Sequence, residues 1–591
     1  MIGRRLDAHG TEVARVAPAV PVRMIACVTG VFGAIGNQSR NSNARSSDME
    51  VRVAADRQRL RLQQDELTPM TAVTYSNHDG EPLGAPTAEL DAAAETSRRW
   101  RSVWRIHFYA GMFAMPFILL MALTGLVILY TQPIQDLTQG DLRTVDRGTE
   151  TVSFDEQAAA VEAAYPDAVL TSLTMPTDAE HSVVFGIDDG SSAGRQVFVD
   201  QYSGEVLGST NPDGGIVGLS NRMHGTLNND RITIDLPTVS ALWDDGPVMR
   251  EYVVGDLILE LLGVWTLVLV ASGLFLWWPR RTRRAADTAA TAAAAAAAGK
   301  RSILGVRRGV KGRARWRDLH GVSGVILLGL ILVTIVSGLA WSTYWGPHFS
   351  AIANEITPNS WTDAPPSPLG ERGDLDRLGN KINWNTGDRP IPASYATPTD
   401  GTAPAAISLD DIVTIANDDG MKPGYTISFP GNSEDEEGNP IYGSFTVSNS
   451  WPRKTGEARD LYLDQFTGQT LAVQDVYGYG AVSRGMDTLV SVHMGTQLGI
   501  VSRLMMTALS LLAIFSVISG FAMFWKRRRP GTAGLPRRPI DVRLSRNLAI
   551  FAVGLAVVFP VWGVTALVVL GIDRFVIRKI RPLRTAFGQP A

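Results

Sequence analysis

Four of the eight histidines recur at matched places in the chain. Imidazole is a side chain whose chemistry depends on what holds each ring nitrogen. His107 is followed eighteen residues later by Gly125, and His320 eighteen residues later by Gly338. Eighteen residues make five turns of α-helix, so each histidine shares a helix face with its glycine, about 27 Å away. His224 and His493 open two similar elements, His224-Gly225-Thr226 and His493-Met494-Gly495-Thr496. Each precedes an apolar stretch that ends in Ser-Gly, as Ser272-Gly273 and Ser519-Gly520. Neutral imidazole binds iron through one ring nitrogen while a neighbour holds the other. The pattern therefore predicts that His107 pairs with His320 near one membrane face and His224 with His493 near the other. Two bis-imidazole sites of this kind would hold two b-type haem irons. On this reading Gly125, Gly338, Gly273 and Gly520 let a large planar group approach the backbone. Close helix packing is the competing explanation for these small residues.

One spacing resists the pattern. His493 and Gly520 are 27 residues apart, seven and a half turns, so a bend or a break must separate them. His224 stands still further from its apolar stretch, and His348 competes with it as the outer ligand. His9, His78 and His181 follow no pattern and read as solvated.

Long apolar helices must position these residues. The chain has 591 residues, 45% hydrophobic and 19% charged, with a net charge of -3. Several windows of about 20 residues are nearly uncharged, which is the length that crosses a bilayer core. A purely soluble enzyme is excluded. The only cysteine, Cys27, excludes an internal disulfide, a thiolate zinc cage, an iron–sulfur cluster and covalent haem attachment through two thiols. No HExxH or Walker loop is present, and no convincing Ser/His/Asp arrangement stands out.

The expected organisation is a polytopic α-helical membrane protein with a four-helix core and a fifth helix. An N-terminal tail at 1–97 lacks periodicity and reads as disordered or as an over-extended gene start. Spans are expected at 98–131, 251–279, 318–345, 493–526 and 548–572, the last bending at Pro560. Two α+β inserts lie at 132–250 and 346–492. Basic linkers lie at 280–317 and 527–547, and a tail at 573–591. Arginines at 98, 99, 101 and 105 and both linkers mark the cytoplasmic side, which places the inserts outside and the N-terminus inside. The direction of the fifth span is ambiguous, because basic residues flank both its ends.

The halves repeat in parallel. VFVDQYSGEVLG at 197–208 matches LYLDQFTGQTLA at 461–472, each reading as strand, turn and strand. Helical patterns precede them at 155–166 and 409–420. The first half carries an extra stretch at about 228–250. Aromatic residues at Trp341, Tyr344, Trp345 and Trp451 could line a substrate vestibule. An interfacial belt accounts equally for those on the helix.

These motifs, with LHGVSGV, SGLAWSTYWG, VHMGTQLG and FPVWGVTALVVLGIDR, resemble the PepSY-associated transmembrane-helix family over about 98–575. The resemblance implies two PepSY-like domains on a helical bundle. Some members are iron-regulated inner-membrane proteins, and some are haem-containing reductases of ferric siderophores. It therefore implies haem ligation by His107, His224, His320 and His493. It also implies a bacterial cytoplasmic-membrane location, a ferric siderophore as substrate, and a quinol or cytoplasmic reductase as electron donor. A second reading is a non-catalytic membrane protein that binds or regulates a peptide, a peptidase or another partner. A transporter ranks third. Membrane lipid is a partner on every reading, and nucleic acid on none.

Overall fold

A computed structural model describes residues 86–277 except 192, 230 and 239–248; 305–360 except 307–308; 391–395; 404–528 except 436 and 450–452; and 546–586. Almost all of the 1–97 tail, most of the two basic linkers, Cys27, His9, His78 and Trp451 lie outside the described residues.

The helices are α1 (Pro86–Leu129), α2 (Phe154–Ala164), α3 (Gly215–Thr226), α4 (Val254–Trp277), α5 (Gly312–Leu339) and α6 (Trp345–Ile356). After these come α7 (Leu409–Asp418), α8 (Ala481–His493), α9 (Ile500–Trp525), α10 (Arg546–Val558) and α11 (Pro560–Ile572). Among the described residues five helices are long and apolar enough to cross a membrane: Arg99–Leu129, α4, α5, α9 and Pro560–Ile577. At most 33% of any apolar window is buried within the protein, so lipid must cover the rest. Leu511, Ile518 and Phe521 on α9 and Leu567, Val568 and Leu570 on α11 are among the apolar side chains left outside. The chain is thus a multi-pass membrane protein with an α+β part.

That α+β part is one sheet, not two. The strands are β1 (Val169–Thr174), β2 (Val183–Asp188), β3 (Arg195–Val199), β4 (Val206–Thr210), β7 (Thr426–Ser428), β8 (Ser444–Ser448), β9 (Arg459–Asp464) and β10 (Thr470–Asp475). These eight run in the order β10-β9-β8-β7-β1-β2-β3-β4, four from each insert. The seam is antiparallel, with Ser172 opposite Ser428, Leu173 opposite Ile427 and Thr174 opposite Thr426. Pairing β1 with β7 satisfies backbone groups that two separate sheets would leave as exposed edges. Helices α2 and α7 cap each other across the seam. The Phe154 N–H donates to Asp410 Oδ1 at 3.0 Å, and the Leu409 N–H donates to Asp155 Oδ1 at 3.0 Å. One continuous core results, with Val161, Leu173 and Phe185 from the first insert and Ile412, Ile427 and Leu461 from the second. Each such fully buried side chain contributes about 1.5–3 kcal/mol.

The two repeated hairpins fold alike. Gly204 and Gly468 take φ of +73° and +70°, a left-handed turn conformation that costs glycine little. Asp200 and Asp464 accept the N–H groups of Tyr202 and Phe466, each at 2.9 Å. Gln201 and Gln465 donate to the carbonyls of His181 and Gly443, each at 2.8 Å. The Asp-Gln-aromatic-hydroxyl-Gly run is therefore a turn with its own backbone ties. The extra stretch in the first half forms a separate hairpin, β5 (Thr233–Pro237) with β6 (Met249–Val253), that leads into α4.

Chain breaks fall at two places. Residues 494–499 separate α8 from α9, which resolves the half-turn mismatch between His493 and Gly520. Phe559 separates α10 from α11, with Pro560 at the first helical position, where its missing N–H costs nothing. Gly563 lies so near Ala556 that a Cβ there would stand 2.9 Å from that of Ala556. This close approach closes α10 and α11 into a hairpin against Val264 and Val268 of α4.

Candidate cofactor site formed by two histidine pairs

His107 on α1 directs Nδ1 at α4, 3.0 Å from Ser272 Oγ and 3.2 Å from the Leu269 carbonyl. Ser272 spends its own proton on the Val268 carbonyl at 2.6 Å. Both neighbours can then only accept, so Nδ1 carries the proton and Nε2 the lone pair. His320 on α5 repeats the arrangement against α9. Its Nδ1 lies 3.0 Å from Ser519 Oγ and 3.1 Å from the Ser516 carbonyl, and Ser519 donates to Ser516 O at 2.9 Å.

The second pair uses hydroxyls alone. His224, in the last turn of α3, lies with Nδ1 2.9 Å from Thr124 Oγ1, which donates to the Leu120 carbonyl at 2.8 Å. His493, the last residue of α8, lies with Nδ1 2.9 Å from Ser337 Oγ, which donates to the Val333 carbonyl at 2.7 Å. The carbonyls of Leu269 and Ser516 fix the tautomer of the first pair, whereas the hydroxyls beside His224 and His493 can serve either tautomer. Burial drives the pKa of His224 down to about 4. Burial, and then the neighbouring His224, drive that of His493 down to about 3. Both rings of this pair are neutral at any physiological pH.

Each histidine is held by its own half of the chain and faces a histidine of the other half. The ring centres of His107 and His320 are 6.4 Å apart, with planes inclined at 76°. Those of His224 and His493 are also 6.4 Å apart, inclined at 62°. Two imidazoles bound to opposite sides of one metal ion would have centres about 6 Å apart, given metal–nitrogen bonds of about 2 Å and about 1 Å from each nitrogen to its ring centre. Among the described residues no group of three or more His, Cys, Asp or Glu could hold a metal. Two imidazoles are too few to enclose a bare ion, and they fit a group that brings its own equatorial ligands, as haem does.

The glycines serve the rings. A Cβ on Gly273 would stand 3.1 Å from His107 Cε1, one on Gly125 3.4 Å from His224 Cε1, and one on Gly520 3.7 Å from His320 Cε1. Gly273 alone admits an imidazole edge closer than ordinary contact, while a Cβ on Gly125 or Gly520 would meet its ring at van der Waals distance. Gly338 differs, since a Cβ there would meet nothing within 4 Å. The sequence marks the hydroxyls Ser272, Ser519, Thr124 and Ser337 only as neighbours of the glycines and gives them no role. Each stands immediately before one of the four glycines, so the signal lay beside the positions already singled out.

His348 stays apart from both pairs. Its Nδ1 meets the Tyr344 carbonyl at 2.6 Å, and its ring lies 5.3 Å from that of Tyr344. His181 binds Asp178 at 2.6 Å. Tyr344 and Trp345 pack against Tyr252 and Phe559, while Trp341 is exposed.

Comparison with known proteins agrees with this architecture. A search of curated proteins finds no match to the chain. A family model described as the PepSY-associated TM region matches residues 104–527, which include all four paired histidines and the entire eight-stranded sheet. The match covers more than two thirds of the 591 residues, and the chain belongs to the PepSY-associated transmembrane family.

Proposed function

We propose that the protein is a membrane electron-transfer protein that holds haem b at two sites and reduces ferric siderophore complexes outside the cell membrane. The observation that carries this reading is the duplicated pair of histidines, 6.4 Å apart in both cases, with every Nδ1 engaged. His107 with His320 would hold one haem, and His224 with His493 the other. Bound haem supplies one-electron chemistry, with its potential set by axial ligands, hydrogen bonding and burial.

The chain does the rest with its own side chains. Serine and threonine hydroxyls orient each ring and raise ligand basicity. Burial keeps the His224–His493 pair neutral and able to ligate. Apolar helices keep water from the rings. The joined inserts, read as two PepSY-like domains, offer a surface on which a ferric chelate can dock beside the second pair. The substrate gains one electron per iron, and Fe(II) is then held more weakly by hard oxygen donors. A quinol or a cytoplasmic reductase supplies the electron.

The Lys/Arg distribution favours the sheet outside and the N-terminus inside, and the family likeness favours a bacterial cytoplasmic membrane. The matched contacts of the two halves favour a four-helix core built from a parallel repeat, with the fifth span peripheral.

The test is a reduced-minus-oxidised visible spectrum of the detergent-purified protein, with a pyridine haemochrome assay for stoichiometry. A b-type spectrum with about two haems per chain is expected. Protein made with ample iron and haem that carries none would overturn the reading. It would favour a PepSY membrane protein that binds a peptide or a partner, in which His107→Ala is tolerated.

A further inference from the structure

A half-buried arginine lies one helical turn from the His107–His320 pair with one buried guanidinium nitrogen unused. Arg527 follows the end of α9 by two residues, and its guanidinium carbon sits 4.3 Å from the centre of the Trp104 ring. Its Nη1 is buried and has no hydrogen-bond partner. Burying a guanidinium nitrogen without an acceptor is costly, so the position calls for an anion. Burial first, and then the charge of Arg313, lower the pKa of Arg527.

The place is set by helix geometry. Trp104 is three residues before His107, about one turn along α1 and away from the sheet. Arg527 is seven residues beyond Gly520, the residue that faces the His320 ring, and the helical hydrogen bonds run on through Lys526 and Arg528. Seven residues are about two turns, so Arg527 and Gly520 share a face of α9. Arg313 is likewise seven residues before His320 on α5. Two guanidinium groups thus stand at about the same depth on neighbouring helices, beyond the paired rings. Haem carries two propionate carboxylates on one edge of its ring, and the planar fork of arginine matches a carboxylate.

We propose that Arg527 anchors a propionate of the haem held by His107 and His320, with Arg313 at the right depth for the second. This rests on the reading that the pair binds haem. The Trp104 ring holds the guanidinium flat, which leaves its edge to donate to the carboxylate. The ligand class is a planar tetrapyrrole with carboxylates on the edge away from the sheet.

The experiment uses the full chain with His224→Ala and His493→Ala, so that only the His107–His320 pair can load. The purified, haem-depleted protein is titrated with haem and with haem dimethyl ester, which lacks the two charges. The parent is expected to bind haem about tenfold or more tighter than the ester. Arg527→Gln should abolish that preference, and Arg527→Lys, a point charge without the fork, should leave part of it. Arg528→Gln, at the exposed neighbouring position, should keep it whole. An unchanged preference in Arg527→Gln overturns the anchor and leaves the haem reading intact. If the Gln variant fails to accumulate, an unchanged preference in Arg527→Lys does the same. An equal loss in Arg528→Gln also overturns the anchor, because it would mark a general surface-charge effect. A parent that binds neither porphyrin overturns the haem reading of the His107–His320 pair and the anchor with it.

Discussion

The two histidine pairs share one ring separation and differ in what supports them. His107 and His320 lie within α1 and α5, whose membrane-crossing parts run to 31 and 28 residues. His224 and His493 end helices of only 12 and 13 residues. A long apolar helix is held along its whole length, whereas a short one depends on its ends and anchors. The hydrogen bonding differs too. Each Nδ1 of the first pair has a carbonyl and a hydroxyl within reach, and each of the second has a hydroxyl alone.

The two short helices are themselves unequal. α8 is anchored by Asp487, fully buried and 3.5 Å from Arg453, and by the Thr496 hydroxyl, which donates to the Arg453 carbonyl at 2.7 Å. α3 starts at Gly214 with no side-chain cap and ends on Leu227 and Asn228 at φ of +54° and +55°. The protein thus duplicates the ring separation without duplicating its support. The pair beside the sheet is the softer one, and His224 is its weaker arm.

The largest expected effect comes from removing a ligand. His320→Ala should lower haem content from about two per chain to about one, read by pyridine haemochrome. Full retention would show that the first pair holds none.

Acid comes next. An unfolded histidine titrates near 6.5, while folding holds His224 and His493 at about 4 and about 3. As pH falls below 6.5 the unfolded chain binds protons that the folded pair refuses, so stability falls. In haem-free protein the two should cost on the order of 5 kcal/mol by pH 4, seen as a falling unfolding midpoint. Replacing both histidines with leucine should flatten the slope. A slope that stays unchanged would assign the acid sensitivity elsewhere.

Asp487→Ala removes the carboxylate 3.5 Å from the buried Arg453 guanidinium, at a cost of about 3–5 kcal/mol. Haem should be lost from the pair beside the sheet before the other, as followed by thermal melts with a spectral readout. Equal loss from both pairs would break the contrast between them.

Hydroxyl deletion sharpens it further. Ser337→Ala should weaken haem binding about 10- to 100-fold. Ser519→Ala should do less, because the Ser516 carbonyl still accepts from His320. Equal effects in a haem titration would show that the carbonyl plays no part.

The smallest effect is expected at Leu227→Gly, which relieves a left-handed leucine and should raise stability by up to about 1 kcal/mol. A loss of stability there would mean that packing of the leucine side chain outweighs backbone strain.

Much of this was legible in the residues. Histidines stand out in apolar helices, and their eighteen-residue spacing to glycine recurs in both halves. The hairpins announced themselves through Asp-Gln and a following glycine. The hydroxyls did not, because serine and threonine in a membrane helix usually satisfy themselves on a carbonyl one turn back. Here they do that and also bond a histidine, and only the meeting of two helices reveals the second bond.

Sequence alone determined what depends on near neighbours: apolar lengths that match a bilayer, the helical period that places His107 and Gly125 on one face, and the turn chemistry of the hairpins. Tertiary structure decided what depends on distant ones. It joined the inserts through Ser172 and Ser428, separated α8 from α9 so that His493 turns inward, and set His224 rather than His348 opposite His493. The reason is physical. A helix or a turn is held by contacts a few residues apart, whereas a seam or a ligand pair forms where packed helices and strand register bring distant segments together.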